Sequence, residues 1–304
     1  MDTAVLSKLI ALSEETQAQE KTVEYLRENL QAFVKSGDKV LICFPEHTPG
    51  SLGDLYSRAV SLCGAVPVVW GPDLRWKTLL QQAFFSHAST VIGLPLVVLG
   101  LAKLKKHNGL PLYIRNVVTA GYPCLDWMIE GIQRGLDCTG WGSFGIGTSA
   151  VVAGFSCIDS LGVHLRSDCY GVDIVDDSGN VLPEGSRGNM VLYPLSDPEL
   201  RYSMGELGRL ERTPCQCGST YLRLMDMYPG DNDDPELVEL GQYLHSWTSV
   251  LDEKVIKGPH GLEIELVVFP GEKLPKLPTS AKQVIRPWDP KHDEPIFYKP
   301  LHVR

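Results

Sequence analysis

Two thiols stand one residue apart at Cys215 and Cys217, and Gly218 follows. A Cys-x-Cys pair closed by glycine has the shape of a metal knuckle, because glycine lets backbone amides turn toward the thiolate sulfurs. Two further donors lie upstream, Cys157 and His164. Together the four make a Cys₃His set, which suits tetrahedral Zn²⁺ in a closed structural site with no open position for water. Four unrelated reduced residues are the plain alternative. Cys169 is a substitute ligand by proximity and reads better as a buried strand thiol. In the same stretch, LRYSMGELGRLERTPCQCG (Leu200 to Gly218), a strand is expected to end and turn at the carboxylate of Glu206.

A second chemical candidate is the loop Glu46 to Ser51, which follows an apolar run and precedes a helical one. Open α/β sheets bind ligands at such strand ends. His47 there reads either as lining a carboxylate-substrate pocket or as a solvated turn residue. Ser51 reads as a helix N-cap. No Ser-His-Asp constellation is visible, and TPGSLGD lacks the Gly-Lys-Ser/Thr ending of a phosphate loop.

The elements that must hold these groups follow from periodicity. Residues 1–36 predict two helical stretches, one of them Glu15 to Phe33, with Val23, Leu26, Leu30 and Phe33 at helical spacing. Lys39 to Phe44 predicts a buried strand, Leu52 to Cys63 a helix and Ala65 to Trp70 a strand. That is a βαβ unit and hence a parallel sheet. The alternation continues with a helix at Trp76 to Ala88, a strand at Thr90 to Ile92 and a helix at Leu94 to Lys106. A strand at Asn116 to Thr119 and a helix at Trp127 to Arg134 complete it. From Leu161 the strands shorten and turn residues punctuate them, as in Tyr170 to Val175, DDSGN and Met190 to Tyr193, which predicts an antiparallel β subdomain. Asp231 to Asp234 reads as a polar linker. Beyond it lie a helix (Pro235 to Trp247), strands at Glu253 to Lys257 and Leu262 to Phe269, and a Pro-rich tail. The expected domains are an α/β core at 1–160, a β subdomain with the zinc knuckle at 161–229 and a small α+β domain at 230–304.

At 304 residues, 43 % hydrophobic and 21 % charged, the chain has the bulk of a globular protein with a sizeable core. A net charge of −9 argues against a nucleic-acid partner, which clustered Lys and Arg would bind. The short basic run Lys103 to Lys106 reads as a solvated helix end. The longest apolar run, Thr90 to Leu101, is interrupted and too short to span a bilayer. No signal peptide is visible, and eight scattered Cys do not read as a disulfide framework. The expectation is a reduced, cytoplasmic protein without membrane partners.

Five motifs in order carry a resemblance. VVTAGYP (Val117 to Pro123) is similar to an adenine loop, SFGIGTSA (Ser143 to Ala150) to a Tyr-Gly-x-Thr-Glu motif, and DIVDDSGNVLPEGSRGNMVLYPL (Asp173 to Leu195) to a β segment. LRYSMGELGRL is similar to a Thr-Gly-Asp motif, and CQCGSTYLRL to a Cys-x-Cys-Gly-Arg-Thr insertion. Together they resemble the adenylate-forming superfamily and, within it, the phenylacetate–CoA ligase family, over roughly residues 36 to 270. The resemblance implies an α/β fold: an adenylate-forming-type core of parallel βαβ units with a Zn-bound antiparallel β subdomain and a small α+β C-terminal domain. It implies an AMP-forming acyl- or aryl-CoA ligase, with ATP/AMP, Mg and CoA as cofactors and a small carboxylic acid as partner.

Carried over by position, the resemblance places Ala120, Gly121, Tyr122, Pro123, Phe144, Gly145 and Glu206 at the nucleotide. It puts Glu206 and Thr148 at catalytic positions. Each has a plain alternative: Thr119 to Pro123 is also a strand end turning into a helix, Tyr122 an apolar edge cap, and Phe144-Gly145 the end of a strand. The departures are as informative. No Ser/Thr/Gly-rich phosphate loop precedes Lys39, so the expectation is a truncated or split ligase, with a second protein as a carrier of the missing loop. Thr148 or Ser149 stands where a Mg-binding Glu is usual, which leaves no carboxylate for a hard cation. Met204 and Glu206 replace Thr and Asp. Asp231 replaces a hinge Arg, where a negative charge facing phosphates is unfavourable. Only Lys299 remains for the terminal catalytic lysine. The chain is therefore expected to be weak or inactive alone, or to act as a binding or regulatory subunit.

Overall fold

The computed structural model describes residues 3–14, 16–45, 47–70, 75–122, 124, 126–146, 151–157, 162–229, 235–259, 261–292 and 296. Thr148, Pro123, Ser149, the segment 231–234 and Lys299 lie outside the described residues.

Two helices, α1 (Thr3–Glu14) and α2 (Thr16–Leu30), precede the first strand, β1 (Lys39–Cys43). Then α3 (Leu52–Leu62), β2 (Val66–Val69), α4 (Trp76–Ser86), β3 (Thr90–Gly93), α5 (Pro95–Asn108), β4 (Asn116–Thr119), α6 (Asp126–Leu136) and β5 (Thr139–Gly145) alternate. These five strands pair in parallel in the order β2-β1-β3-β4-β5. Right-handed crossovers then put α3 on one face and α4, α5 and α6 on the other. Contacts agree, since α2 packs on α3 while α5 packs on both α4 and α6. The chain reverses direction across the sheet between β1 and β3, which makes that junction the topological switch point.

The sheet does not stop at β5. Its next neighbours are antiparallel: β6 (Val152–Ser156), β7 (Gly162–Leu165), β11 (Arg223–Pro229), β10 (Tyr202–Glu211), β9 (Gly188–Pro194) and β8 (Tyr170–Val175). Among the described residues this makes one 11-stranded sheet. A separate three-stranded sheet, β12 (Val250–Gly258), β13 (Gly261–Val268) and β14 (Lys282–Pro287), carries α7 (Pro235–Ser246). Each region has a core. The largest runs from Val23 through Trp141 and Phe155, and Leu251, Phe269 and Trp288 join it. A second gathers Phe144, Met190, Tyr202 and Leu224 with Leu9 of α1. A third holds Leu244, Val250, Ile264 and Leu266.

The parallel half follows its hydrophobic runs closely. β1 is buried from Val40 to Cys43, as a strand covered on both faces must be. Its outer neighbour β2 is an edge strand. The amides of Val66 and Trp70 turn inward to Asp38 O and Ile42 O, so position 67 faces out. Pro67 there removes one exposed donor and blunts the edge.

Six elements differ from the expectation. β5 contains three glycines in TGWGSFG, and β14 is a polar edge strand where a Pro-rich tail was read. β6, β7 and β11 are short or irregularly patterned. The strand holding Glu206 neither ends nor turns there: β10 continues to Glu211. A register shift between Ser203 and Leu207, with Gly205 at φ +73°, absorbs the irregularity. The described residues contain no helix long and apolar enough to cross a membrane.

Candidate functional site

Two hairpin ends converge on one point. β6 ends one residue before Cys157, and His164 sits within β7. The connection between β10 and β11 carries Cys215 and Cys217. β7 lies between β6 and β11, with His164 opposite both Phe155 and Arg223, so the pairing of these strands brings the two ends together. Leu165 N–H donates to Leu222 O at 2.8 Å and extends the seam to the cysteine turn. That turn closes on itself: Gly218 N–H donates to Cys215 O at 2.9 Å and Cys215 N–H to Ser219 O at 3.2 Å. Gly218 has φ +84° with open space around a would-be Cβ, so its role is conformational.

The four donor atoms all lie within 4.8 Å of one another. Cys157 Sγ is 3.6 Å from Cys215 Sγ and 3.3 Å from His164 Nε2, and Cys217 Sγ is 3.5 Å from His164 Nε2. Around a tetrahedral Zn²⁺, bond lengths of about 2.3 Å to sulfur and 2.0–2.1 Å to nitrogen place S···S near 3.8 Å and S···N near 3.5 Å. The observed separations fit that geometry, and the soft donors fit that ion better than Mg²⁺ or Ca²⁺. His164 and Cys215 are buried, Cys157 is half-buried and Cys217 exposed. Burial pushes the His164 pKa down and Arg223 adds to this, while the Tyr221 backbone beside the ring pulls the other way. The neutral imidazole that results is the ligating form. Cys169 stands apart: it is half-buried in the turn before β8 and donates to Asp168 Oδ2 at 3.2 Å.

The second candidate lies along the carboxyl ends of the parallel strands. Cys43, Gly93, Thr119 and Gly142 stand in register across β1, β3, β4 and β5. Just beyond them come the loop with His47, then Ala120 to Tyr122, then Phe144-Gly145. A Cβ on Gly93 would sit 2.7 Å from both Cβ and O of Cys43, so glycine lets the switch-point strands close. Thr119 Oγ1 donates to Trp141 O at 3.1 Å, and Ala120 N–H donates to Gly93 O at 3.0 Å. The chain then turns at Gly121, φ +91°, and Tyr122 packs on the large core.

Three of these positions have structural duties. Phe144 is buried in the second core. A Cβ on Gly145 would meet Val151 O at 1.9 Å, so the β5–β6 approach requires glycine. Ser51 caps α3, its Oγ accepting from Asp54 N–H at 3.4 Å. His47 is half-buried, and both ring nitrogens are shielded from water without a hydrogen bond of ordinary geometry. Burial lowers its pKa, with the Phe44 backbone and Asp54 opposing. It is therefore not a solvated turn residue. Glu206 is buried on β10, opposite Pro229 and four strands beyond β5 in the sheet order. Burial raises the Tyr202 hydroxyl pKa and the Glu206 charge raises it further.

One polar group overturns its sequence reading. Lys103 is buried, as are Asp252 and His245 of the C-terminal region, with half-buried Glu253 paired to His245, contrary to a solvated helix end. Leu99 and Gly100, one turn earlier on α5 and themselves buried, were the signal that this face points inward.

By sequence, the chain matches no family model and no curated protein. Solved structures do resemble it. A 2-hydroxyisobutyryl-CoA ligase in the postadenylation state, in complex with 2-HIB-AMP, superposes with a TM-score of 0.65 at 14 % identity, over 90 % of this chain and 68 % of that one. The same ligase with 2-HIB-AMP and CoA in the thioesterification state gives 0.58 at 18 % identity, over 81 % and 57 %. A benzoate CoA ligase from Burkholderia xenovorans LB400 gives 0.53 at 12 %, over 87 % and 61 %. The chain thus spans less than two thirds of the length of several of these proteins. At such identities the likeness establishes the fold, which is the adenylate-forming one.

Proposed function

We propose that this chain is an AMP-forming acyl- or aryl-CoA ligase-like protein of the phenylacetate–CoA ligase type, incomplete or weakly active as these 304 residues. The observation that carries the reading is the adenylate-forming fold over 90 % of the chain, with the five sequence motifs in order upon it. The parent reaction joins a carboxylic acid to ATP as an acyl-adenylate and passes the acyl group to the CoA thiol. In it the protein contributes positioning and stabilisation of phosphate charge.

In this reading the carboxyl edge of β1, β4 and β5 is the nucleotide site. Ala120 to Pro123 and Phe144-Gly145 border the adenine, and Glu206 accepts from ribose hydroxyls. His47, neutral and poor in partners, faces the acid. Mg²⁺ with ATP would find Thr148 rather than a carboxylate at its usual position. The triphosphate loop would come from outside these residues, through a longer form of the chain or a second protein. Cys157, His164, Cys215 and Cys217 hold a structural Zn²⁺, which ties the β6–β7 end to the β10–β11 turn. With four donors that ion has no open position and takes no part in the chemistry. The domains divide near 160 and 230, and a cytoplasmic location suits the reduced thiols. The alternative, a catalytically degenerate binding or regulatory subunit, is favoured by the missing carboxylate near position 148.

Pyrophosphate release with ATP, CoA and a panel of aromatic and short-chain acids tests activity. The expected result is little or no turnover by the chain alone, with AMP binding retained in calorimetry. Robust turnover would overturn the incomplete reading, and absence of any AMP or ATP binding would overturn the nucleotide site.

A further inference from the structure

Among the described residues, the sheet edges are not defended alike. β2 carries Pro67, β12 lies against α5 with its Val250 O taken by Lys103, and β14 carries Lys282, Arg286 and a closing Pro287. Each of these devices discourages the addition of another strand. β8, YGVDIV, ends the 11-stranded sheet with neither a proline nor a basic residue. Its one charge, Asp173, is held by Arg201 Nη2 at 2.6 Å and accepts from the Tyr193 hydroxyl at 3.3 Å.

The outward groups of β8 follow from its register. Leu195 N–H donates to Cys169 O at 2.8 Å, so Cys169, Gly171 and Asp173 exchange bonds on the β9 side and Val172 does not. Its neighbours on the same row agree. Tyr170 N–H turns away from β9 to Arg166 O at 3.0 Å, and Leu182 N–H reaches Ile174 O from the outer side at 2.8 Å. Val181 and Leu182 thus begin an antiparallel strand along this edge, bridged at Val175, and Pro183 stops it. Val172 N–H and O face outward just beyond that short pairing.

This edge borders a cleft of about 530 Å³. Tyr170 to Ile174 form one wall, and Leu165, Leu210 and Thr220 to Leu222 form the other. Val181, Leu195 and Tyr221 line it as exposed apolar side chains. Glu184 and Arg212 line it too, and they pair with each other at 2.7 Å. Every charge on the cleft therefore already has its counter-charge.

We propose that this cleft receives an extended, uncharged peptide segment of a partner protein, added to the sheet antiparallel to β8. A residue opposite Val172 exchanges two hydrogen bonds with it, and the residue two places on donates to Tyr170 O. Alternate side chains of the segment then meet the apolar walls. A charged side chain would enter without a free counter-ion, which selects an uncharged segment. The wall at Thr220 to Leu222 stands across the edge, so the cleft admits a single strand and not the sheet edge of a second copy. The cleft shares no residue with the proposed nucleotide site and does not rest on that reading.

Capped hexapeptides randomised over Val, Leu, Thr, Tyr and Ser, selected on the full chain and identified by mass spectrometry, supply the probe. The tightest is labelled with fluorescein and titrated by fluorescence anisotropy. Methylating one backbone nitrogen at a time should weaken binding at least about tenfold at two positions, two apart, and leave the position between them unaffected. Tyr221→Lys should weaken binding by about tenfold, since it places a charge on the cleft at an exposed side chain. Val181→Lys repeats this from the β8 side should the first variant lose stability. Selection of no peptide, a methylation cost equal at every position, or affinity unchanged by both variants would overturn the proposal. A dimer in sedimentation that either variant dissolves would give the cleft to a second copy and overturn it as well.

Discussion

The cysteine clasp and the carboxyl edge of the parallel strands sit on one sheet and differ in what each offers a ligand. At the clasp, four side-chain atoms within 4.8 Å define the chemistry, and the strands serve to bring them there. At the edge, the backbone does most of the shaping. Gly93, Gly121 and Gly145 are demanded by strand contact or positive φ whether or not a nucleotide binds. Side-chain donors state their ligand, whereas an edge built from backbone turns states only that a ligand would fit. The clasp is thus specified locally, whereas the edge, as the nucleotide site proposed above, would depend on groups contributed from elsewhere.

Substitution should separate the two. Cys215→Ser removes a buried donor and should abolish stoichiometric zinc. A loss of about 3 kcal/mol would lower the melting temperature by about 5 °C for a protein of this size, read by calorimetry, with the zinc read by elemental analysis. Retained zinc after that change would break the comparison at its stronger end. Gly93→Ala forces a Cβ against Cys43 and should cost about 1–3 kcal/mol. Zinc content should be untouched and AMP affinity reduced, because β1 and β3 frame the switch point. Glu206→Gln should weaken AMP by about tenfold, the worth of one charged hydrogen bond, and equal affinity in calorimetry would remove Glu206 from the proposed nucleotide site. Ser51→Ala loses the α3 cap and should cost about 1 kcal/mol, a shift of about 1.5 °C. An effect of Ser51→Ala on AMP larger than that of Glu206→Gln would mean the β1 loop, not β10, carries the ligand.

The same contrast explains what was legible in the residues. The parallel half was readable because strands such as VLIC and TVIG are unbroken apolar runs and helices such as α3 have a capped start. The clasp was readable because thiols and imidazole have few other reasons to recur at such spacing, although nothing short of the β6–β7–β11 pairing shows that they meet. β5 hid behind its glycines, whose value is close approach rather than propensity. Glu206 sat in what read as a turn, because Gly205 marks an irregularity inside a strand as readily as a strand end. Lys103 was hidden most thoroughly. Its partners lie about 150 positions away in sequence, and a basic run at a helix end ordinarily faces water.

The central claim is that three sulfurs and one imidazole nitrogen share a single metal ion. Elemental analysis with zinc-edge X-ray absorption on the full chain, purified without added metal, tests it most directly. The expected result is one zinc per chain, with three sulfurs at about 2.3 Å and one nitrogen at about 2.0 Å. Less than about half an equivalent of metal, or a first shell without sulfur, would contradict it.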